Sequence, residues 1–211
     1  MQSSVGRPFF LAVLALALSV QCGVGQSVAV SGSARNGGLP IGNAAIFLVP
    51  LSDTLSVSSD EPTTIDQVHL TFVPNVAVVT PGTEVVFVNS DGVLHNVFGP
   101  GFGGQDDFDL GTYDREERRG HRFQGEGLHI VLCHIHPEMA AYVIVASTVL
   151  RTLSDSNGDF VIEGVMPGRY RVHAWHARHW RDEVIQELTV SSEGVDGLVL
   201  TLGSRRSTRS P

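Results

Sequence analysis

The strongest constraint on the fold is punctuation. Short apolar runs at residues 85–88 (VVFV), 128–132, 142–146 and 197–202 are broken by Pro81-Gly82, Asp91-Gly92, Gly99-Pro100-Gly101, Asn157-Gly158 and Pro167-Gly168. Runs of four to six β-branched or aliphatic residues between turn dipeptides read as strands. No stretch after residue 26 carries a helical period of useful length. These features predict an all-β chain of sandwich type. At 211 residues, 42% hydrophobic and 17% charged, there is enough apolar surface for one large or two small cores, and disorder is excluded.

The formal charge is −8, from 22 acidic and 14 basic residues, and every basic residue is an arginine. This balance argues against a nucleic-acid partner, which requires a basic face. Near the N-terminus, Arg7 precedes the apolar run at residues 9–18 (FFLAVLALAL), and small residues follow at Gly23 and Gly25. That order reads as a signal peptide over residues 1–25, cut before Gln26, in a run too short to span a bilayer. The mature charge becomes −9, since Arg7 is lost. Cys22 offers a lipoprotein anchor as a rival, which Gln21 before it disfavours. A periplasmic or secreted protein without stable membrane insertion is the expectation. Removal of Cys22 leaves Cys133 alone, and a lone thiol in an oxidising compartment is buried, hazardous or coordinated.

The segment Val131 to Met139, VLCHIHPEM, decides among these. Leu128, Ile130 and Leu132 alternate with His129, Val131 and Cys133, so a strand ends at the cysteine. Cys133, His136 and Met139 follow at spacings of three, and a loop leaving a strand end folds such side chains around one point. His95, just past the strand at 85–88 and the turn Ser90-Asp91-Gly92, supplies a further imidazole. Two imidazoles, one thiolate and a weak thioether suit copper cycling between Cu(I) and Cu(II). No open water position is needed, unlike at a catalytic zinc.

The segments His95-Asn96-Val97 and Cys133-His134-Ile135-His136-Pro137-Glu138-Met139 resemble the blue copper cupredoxins. The C-x-x-H-x-x-M loop with proline after the histidine is most similar to amicyanin and related methylamine-utilisation proteins. The run FVPNVAVVTPGTEVVFVNSDGVLHNVF also matches that family's two strands before the first ligand histidine. The resemblance covers residues 66–149. It implies a cupredoxin Greek-key β-sandwich with one type 1 copper, held by His95, Cys133, His136 and an axial Met139. It also implies that Asn96 ties the two ligand loops together. His134 departs from the family's small hydroxyl residue after the cysteine, so the Asn96 bridge is expected to be made differently; as a rival ligand His134 is disfavoured by its position next to Cys133.

A second resemblance rests on Asp155-Ser156-Asn157-Gly158-Asp159-Phe160 and Gly164-Val165-Met166-Pro167-Gly168-Arg169-Tyr170, with Gly38-Leu39-Pro40 before an early strand. These are similar to the carboxypeptidase-regulatory-like, or transthyretin-like, β-sandwich. The implied division is residues 26–65 as its first strands and a linker, 66–149 as the cupredoxin unit inserted within it, 150–203 as its remainder, and 204–211 as a disordered tail.

Several motifs take a plainer reading. His173, His176 and His179 start from a strand, where spacing three does not share a face, and read as a polar strand-end loop. Asp155, Asn157 and Asp159 fail as a calcium loop, since Phe160 and Met166 stand where glycine and glutamate belong. Residues 114–122 (DREERRGHR) read as a solvated hairpin face, and His69, His121 and His129 take no role.

The resemblance implies electron transfer through a solvent-exposed His136 edge, inside an apolar patch drawn from Pro137, Ala140 and Phe98. The expected partner is a c-type cytochrome or an exported dehydrogenase. An enzyme is not expected, because a copper nitrite reductase needs a second, histidine-only copper. A dinuclear centre needs a second loop cysteine. The competing class is a copper-binding, sensing or delivery module on a secreted scaffold.

Overall fold

The structure, a computed structural model, describes residues 26–52, 61–101, 105, 107–179 and 181–203. The signal-peptide reading, Cys22 and the tail at 204–211 lie outside these residues, as do 53–60 of the linker. The described chain is all-β, and its one helical feature is a single 3-10 turn, Ala177–His179.

Among the described residues, seventeen strands form four sheets. Sheet 1 holds β1 (Val28–Asn36) between β14 (Asp159–Val165) and β17 (Val195–Leu202), with the short β2 (Leu39–Pro40) paired to β1. Sheet 2 runs β13 (Arg151–Leu153), β3 (Ala45–Pro50), β15 (Gly168–Trp175), β16 (Val184–Val190). Sheet 3 runs β6 (Val76–Val79), β12 (Ala140–Val145), β11 (Gly127–Leu132), β8 (His95–Pro100), β9 (Asp107–Tyr113). Sheet 4 runs β10 (Arg118–Arg122), β7 (Glu84–Asn89), β4 (Thr63–Val68), β5 (Thr71–Val73). The N-terminal strands β1 and β3 therefore pair with strands from beyond residue 150, while β4 to β12 make sheets 3 and 4 among themselves.

Strand alternation explains how the sheets stack. Ile46 and Leu48 of β3 face a core with Val30, Phe160, Ile162, Val172 and Leu200, between sheets 1 and 2. Phe47 points the other way, into a smaller cluster with Val76, Ile144, Ala146 and Trp175 of sheets 2 and 3. Val143 and Val145, alternating with Ile144, face a third core with Ile65, Phe72, Phe87, Phe123 and Val131, between sheets 3 and 4. The layers run 1, 2, 3, 4. Sheets 2 and 3 are covered on both faces, which is why β3 and β12 are near-continuous apolar runs rather than alternating ones.

Asp155–Gly158 is a turn. The Asp155 carboxylate accepts from the amides of Asn157 and Asp159 at 2.8 and 2.9 Å. Gly158 has φ +79°, and a Cβ there would lie 2.5 Å from the Ala34 carbonyl oxygen. The segment 114–122 is not a hairpin face. β9 pairs with β8 in sheet 3, whereas β10 pairs with β7 in sheet 4. Asp114 to Glu117 cross between two sheets, and the mixed charges there are exposed.

Candidate metal centre

Three neighbouring strands assemble the site. β11 pairs with β8 and with β12, so the start of β8, the end of β11 and the loop into β12 meet at one end of the third core. His95 opens β8, Cys133 follows the last residue of β11, and Met139 precedes the first residue of β12. The Met139 amide donates to the His136 carbonyl at 3.0 Å, closing the intervening loop.

His95 Nδ1 and His136 Nδ1 face each other at 3.1 Å. One ligand atom from each of His95, Cys133 and His136 lies within 4.8 Å of the others. His95 is fully buried, Cys133 and Met139 are buried in the third core beside Val97 and Val131, and His136 is half-buried.

Asp91 sets the tautomer of His95. Its Oδ2 lies 2.9 Å from His95 Nε2, and its carboxylate also accepts from the amides of His69 (2.6 Å) and Leu70 (2.9 Å). Burial pushes this carboxyl up, but the Leu70 amide, the His95 ring and the His69 amide outweigh it and hold the group below its usual range. An ionised carboxylate only accepts, so His95 Nε2 carries the proton and Nδ1 presents a lone pair to Cys133 and His136. A pair of imidazole nitrogens at 3.1 Å beside a buried thiol is what a soft cation requires. The donor set fits copper. From the sequence alone, Asp91 is only part of the turn Ser90-Asp91-Gly92. Its position four residues before His95 was the available signal.

Asn96 joins the two ligand segments. Its Oδ1 accepts from the His134 amide at 3.3 Å, and its Nδ2 donates to Asp109 Oδ1 at 2.7 Å. The bridge thus uses backbone at position 134 and needs no hydroxyl there. The His134 ring lies flat on Phe98, at 3.6 Å between centroids and 8° between planes, with Nε2 3.6 Å from Asp109 Oδ2. It is engaged away from the His95–Cys133–His136 cluster. The Gly111 amide above all, then Asn96 and His134, hold the Asp109 carboxyl below its usual range against the opposing effect of burial.

Tyr113, opposite His95 in the β8–β9 register, is buried, with its hydroxyl unpartnered. Burial and the nearby Cys133 push its phenol far up, so it stays neutral.

The expected patch of Pro137, Ala140 and Phe98 is only partly open to solvent. Phe98 lies under His134, Ala140 is half-buried and Pro137 is exposed. The large exposed apolar side chains on the ligand segments are Val93 (46%), Leu94 (50%) and Ile135 (43%).

The three C-terminal histidines do not meet at one point, although the His176 and His179 rings lie 6.5 Å apart. His173 Nδ1 donates to Glu183 Oε1 at 2.7 Å and its ring stacks on Phe47. His179 Nε2 accepts from Asn36 at 2.7 Å, and His176 Nδ1 accepts from the Arg178 amide at 3.1 Å. His129, left without a role by the sequence, is a buried core residue whose Nε2 donates to the Gly125 carbonyl at 2.6 Å.

No protein-family model matches the chain. Comparison with curated proteins likewise gives no match. Solved structures do match. The Cu-containing nitrite reductase of Thermus scotoductus SA-01 is 24% identical with a TM-score of 0.40, over 48% of this chain and 26% of that one. A purple cupredoxin from Nitrosopumilus maritimus is 23% identical with a TM-score of 0.36, over 40% of this chain and 99% of that one. The Cu(I) form of a mutant amicyanin is 20% identical with a TM-score of 0.39, over 49% of this chain and 99% of that one.

Proposed function

We propose that this protein is an exported cupredoxin that carries single electrons, and that His95 Nδ1, Cys133, His136 Nδ1 and Met139 would hold its one copper. The observation that carries this reading is the convergence of two imidazole nitrogens on a buried cysteine, with the lone pair of His95 directed by Asp91. Copper in this set supplies a one-electron couple. The chain's own part is to hold the ligands still: three strand ends, the Asn96 bridge and a packed core fix them, so little moves between oxidation states.

His136 is the least buried of the four, and Val93, Leu94 and Ile135 are exposed on the flanking segments. A small apolar contact around that imidazole suits brief docking of a redox partner, with a c-type cytochrome or an exported dehydrogenase as the proposed class. Reduction of nitrite needs a second, histidine-only centre. Among the described residues His173, His176 and His179 do not form one cluster, although the His176 and His179 rings lie 6.5 Å apart. Export, with removal of residues 1–25, rests on the apolar segment at 9–18. No described helix is long and apolar enough to cross a membrane.

The test is stopped-flow mixing of the Cu(I) protein with an oxidised c-type cytochrome. Electron transfer fast on the millisecond scale, with copper retained in both states, is expected. Slow transfer with Cu(I) passing to an added chelator would instead assign a copper-delivery role.

A further inference from the structure

Sheets 2 and 3 part at one edge. A cleft of about 430 Å³ opens there, within the range of small-molecule sites. Its floor is apolar and comes from both sheets: Phe47, Val49 and Trp175 on one side, Leu128 and Ile144 on the other. It stands apart from the Cys133 cluster, and nothing in the copper reading uses it.

The charged groups around it are unequal. Glu183 is tied to His173, whose ring is stacked on Phe47 at 4.6 Å. Glu126 accepts from the Ser147 hydroxyl. Arg171, two residues before His173 on the same face of β15, has no side-chain partner among the described residues. The carboxylate across the strand pair from it, Glu187, is taken by Arg169 at 2.7 Å. Among the described residues, the cleft therefore pairs an apolar floor with a guanidinium that no carboxylate has taken, while both carboxylates on its wall already accept hydrogen bonds.

We propose that this cleft binds a small organic carboxylate with an aromatic or branched apolar body. Arg171 takes the carboxylate, and Phe47, Leu128 and Trp175 take the body. Because the walls belong to two different sheets, the ligand bridges them and stabilises their packing. The acidic net charge, −8 for the full chain and one more negative without Arg7, opposes general uptake of anions, so saturable binding reports the cleft rather than the surface.

The test uses the full chain after signal removal, with and without copper, titrated calorimetrically with phenylacetate. Neutral phenylacetamide and cationic phenethylamine serve as comparisons. One saturable site is expected for phenylacetate, with a dissociation constant on the order of millimolar or tighter. Arg171→Gln, at an exposed position, lowers phenylacetate affinity about tenfold and leaves phenylacetamide unchanged. Val49→Trp, which fills the floor, abolishes both in a protein whose thermal transition is retained. Equal binding of phenethylamine, unchanged affinity in Arg171→Gln, or no saturable binding overturns the proposal.

Discussion

Asp91 holds His95. The carboxylate 2.9 Å from His95 Nε2 is itself pinned by two backbone amides, so one side chain fixes the tautomer of the most deeply buried imidazole in the site. Asp91→Asn keeps the shape and removes the charge. The copper-loaded variant is expected to have a higher reduction potential, by tens of millivolts, because the anion favours Cu(II). About 59 mV corresponds to a tenfold change in a one-electron equilibrium. Voltammetry checks this, and a purely structural role for Asp91 leaves the potential unmoved.

His134 and Asn96 separate a side-chain role from a backbone role. His134→Ala removes the ring on Phe98 but keeps the amide that donates to Asn96, so the copper spectrum is expected to persist with little change. Asn96→Ala removes both of the bridge's hydrogen bonds at a buried position and is expected to cost about 1–3 kcal/mol. Denaturant unfolding of the two variants, read beside their spectra, checks the pair.

Trp175 packs against Tyr142 across sheets 2 and 3, with ring centroids 5.0 Å apart and 4% of its surface exposed. Trp175→Ala is expected to destabilise the protein by about 3–5 kcal/mol. Unfolding followed by both copper absorbance and far-UV circular dichroism is expected to coincide in the parent and to separate in the variant. Coincident transitions in both would place the coupling elsewhere.

His176 gives a pH dependence. Burial first, then Arg178 and His179, hold its imidazole below the ordinary value of 6.5, against the Gly42 carbonyl, which pulls it up. The unfolded chain therefore takes the proton more readily. The contribution is complete above pH 6.5 and is lost as pH falls through 6.5 towards the lowered folded value. His176→Gln is expected to flatten the fall in melting temperature between about pH 7.5 and 5.5.

The cluster of His95, Cys133 and His136 was legible in the sequence because cysteine and histidine are chemically rare donors, and two of the three sit within one short loop. Strand positions followed from period-two alternation and turn dipeptides. What stayed hidden is non-local. Asp91 looks like any turn carboxylate until the direction of His95 Nε2 is known. The segments Asp107–Tyr113 and Arg118–Arg122 have the spacing of a hairpin, yet each finds its partner in a different sheet. Val93, Leu94 and Ile135 are ordinary apolar residues whose exposure depends on how the loops end. Arg171 and Leu128 meet across one cleft only because sheets 2 and 3 are stacked.

The most direct test loads residues 26–211 with Cu(II) and records visible absorption and EPR beside Cys133→Ser. The account predicts an intense thiolate-to-copper charge-transfer band and a narrow copper hyperfine splitting in the parent, both lost in the variant. Copper binding without that band, or identical binding by Cys133→Ser, contradicts it.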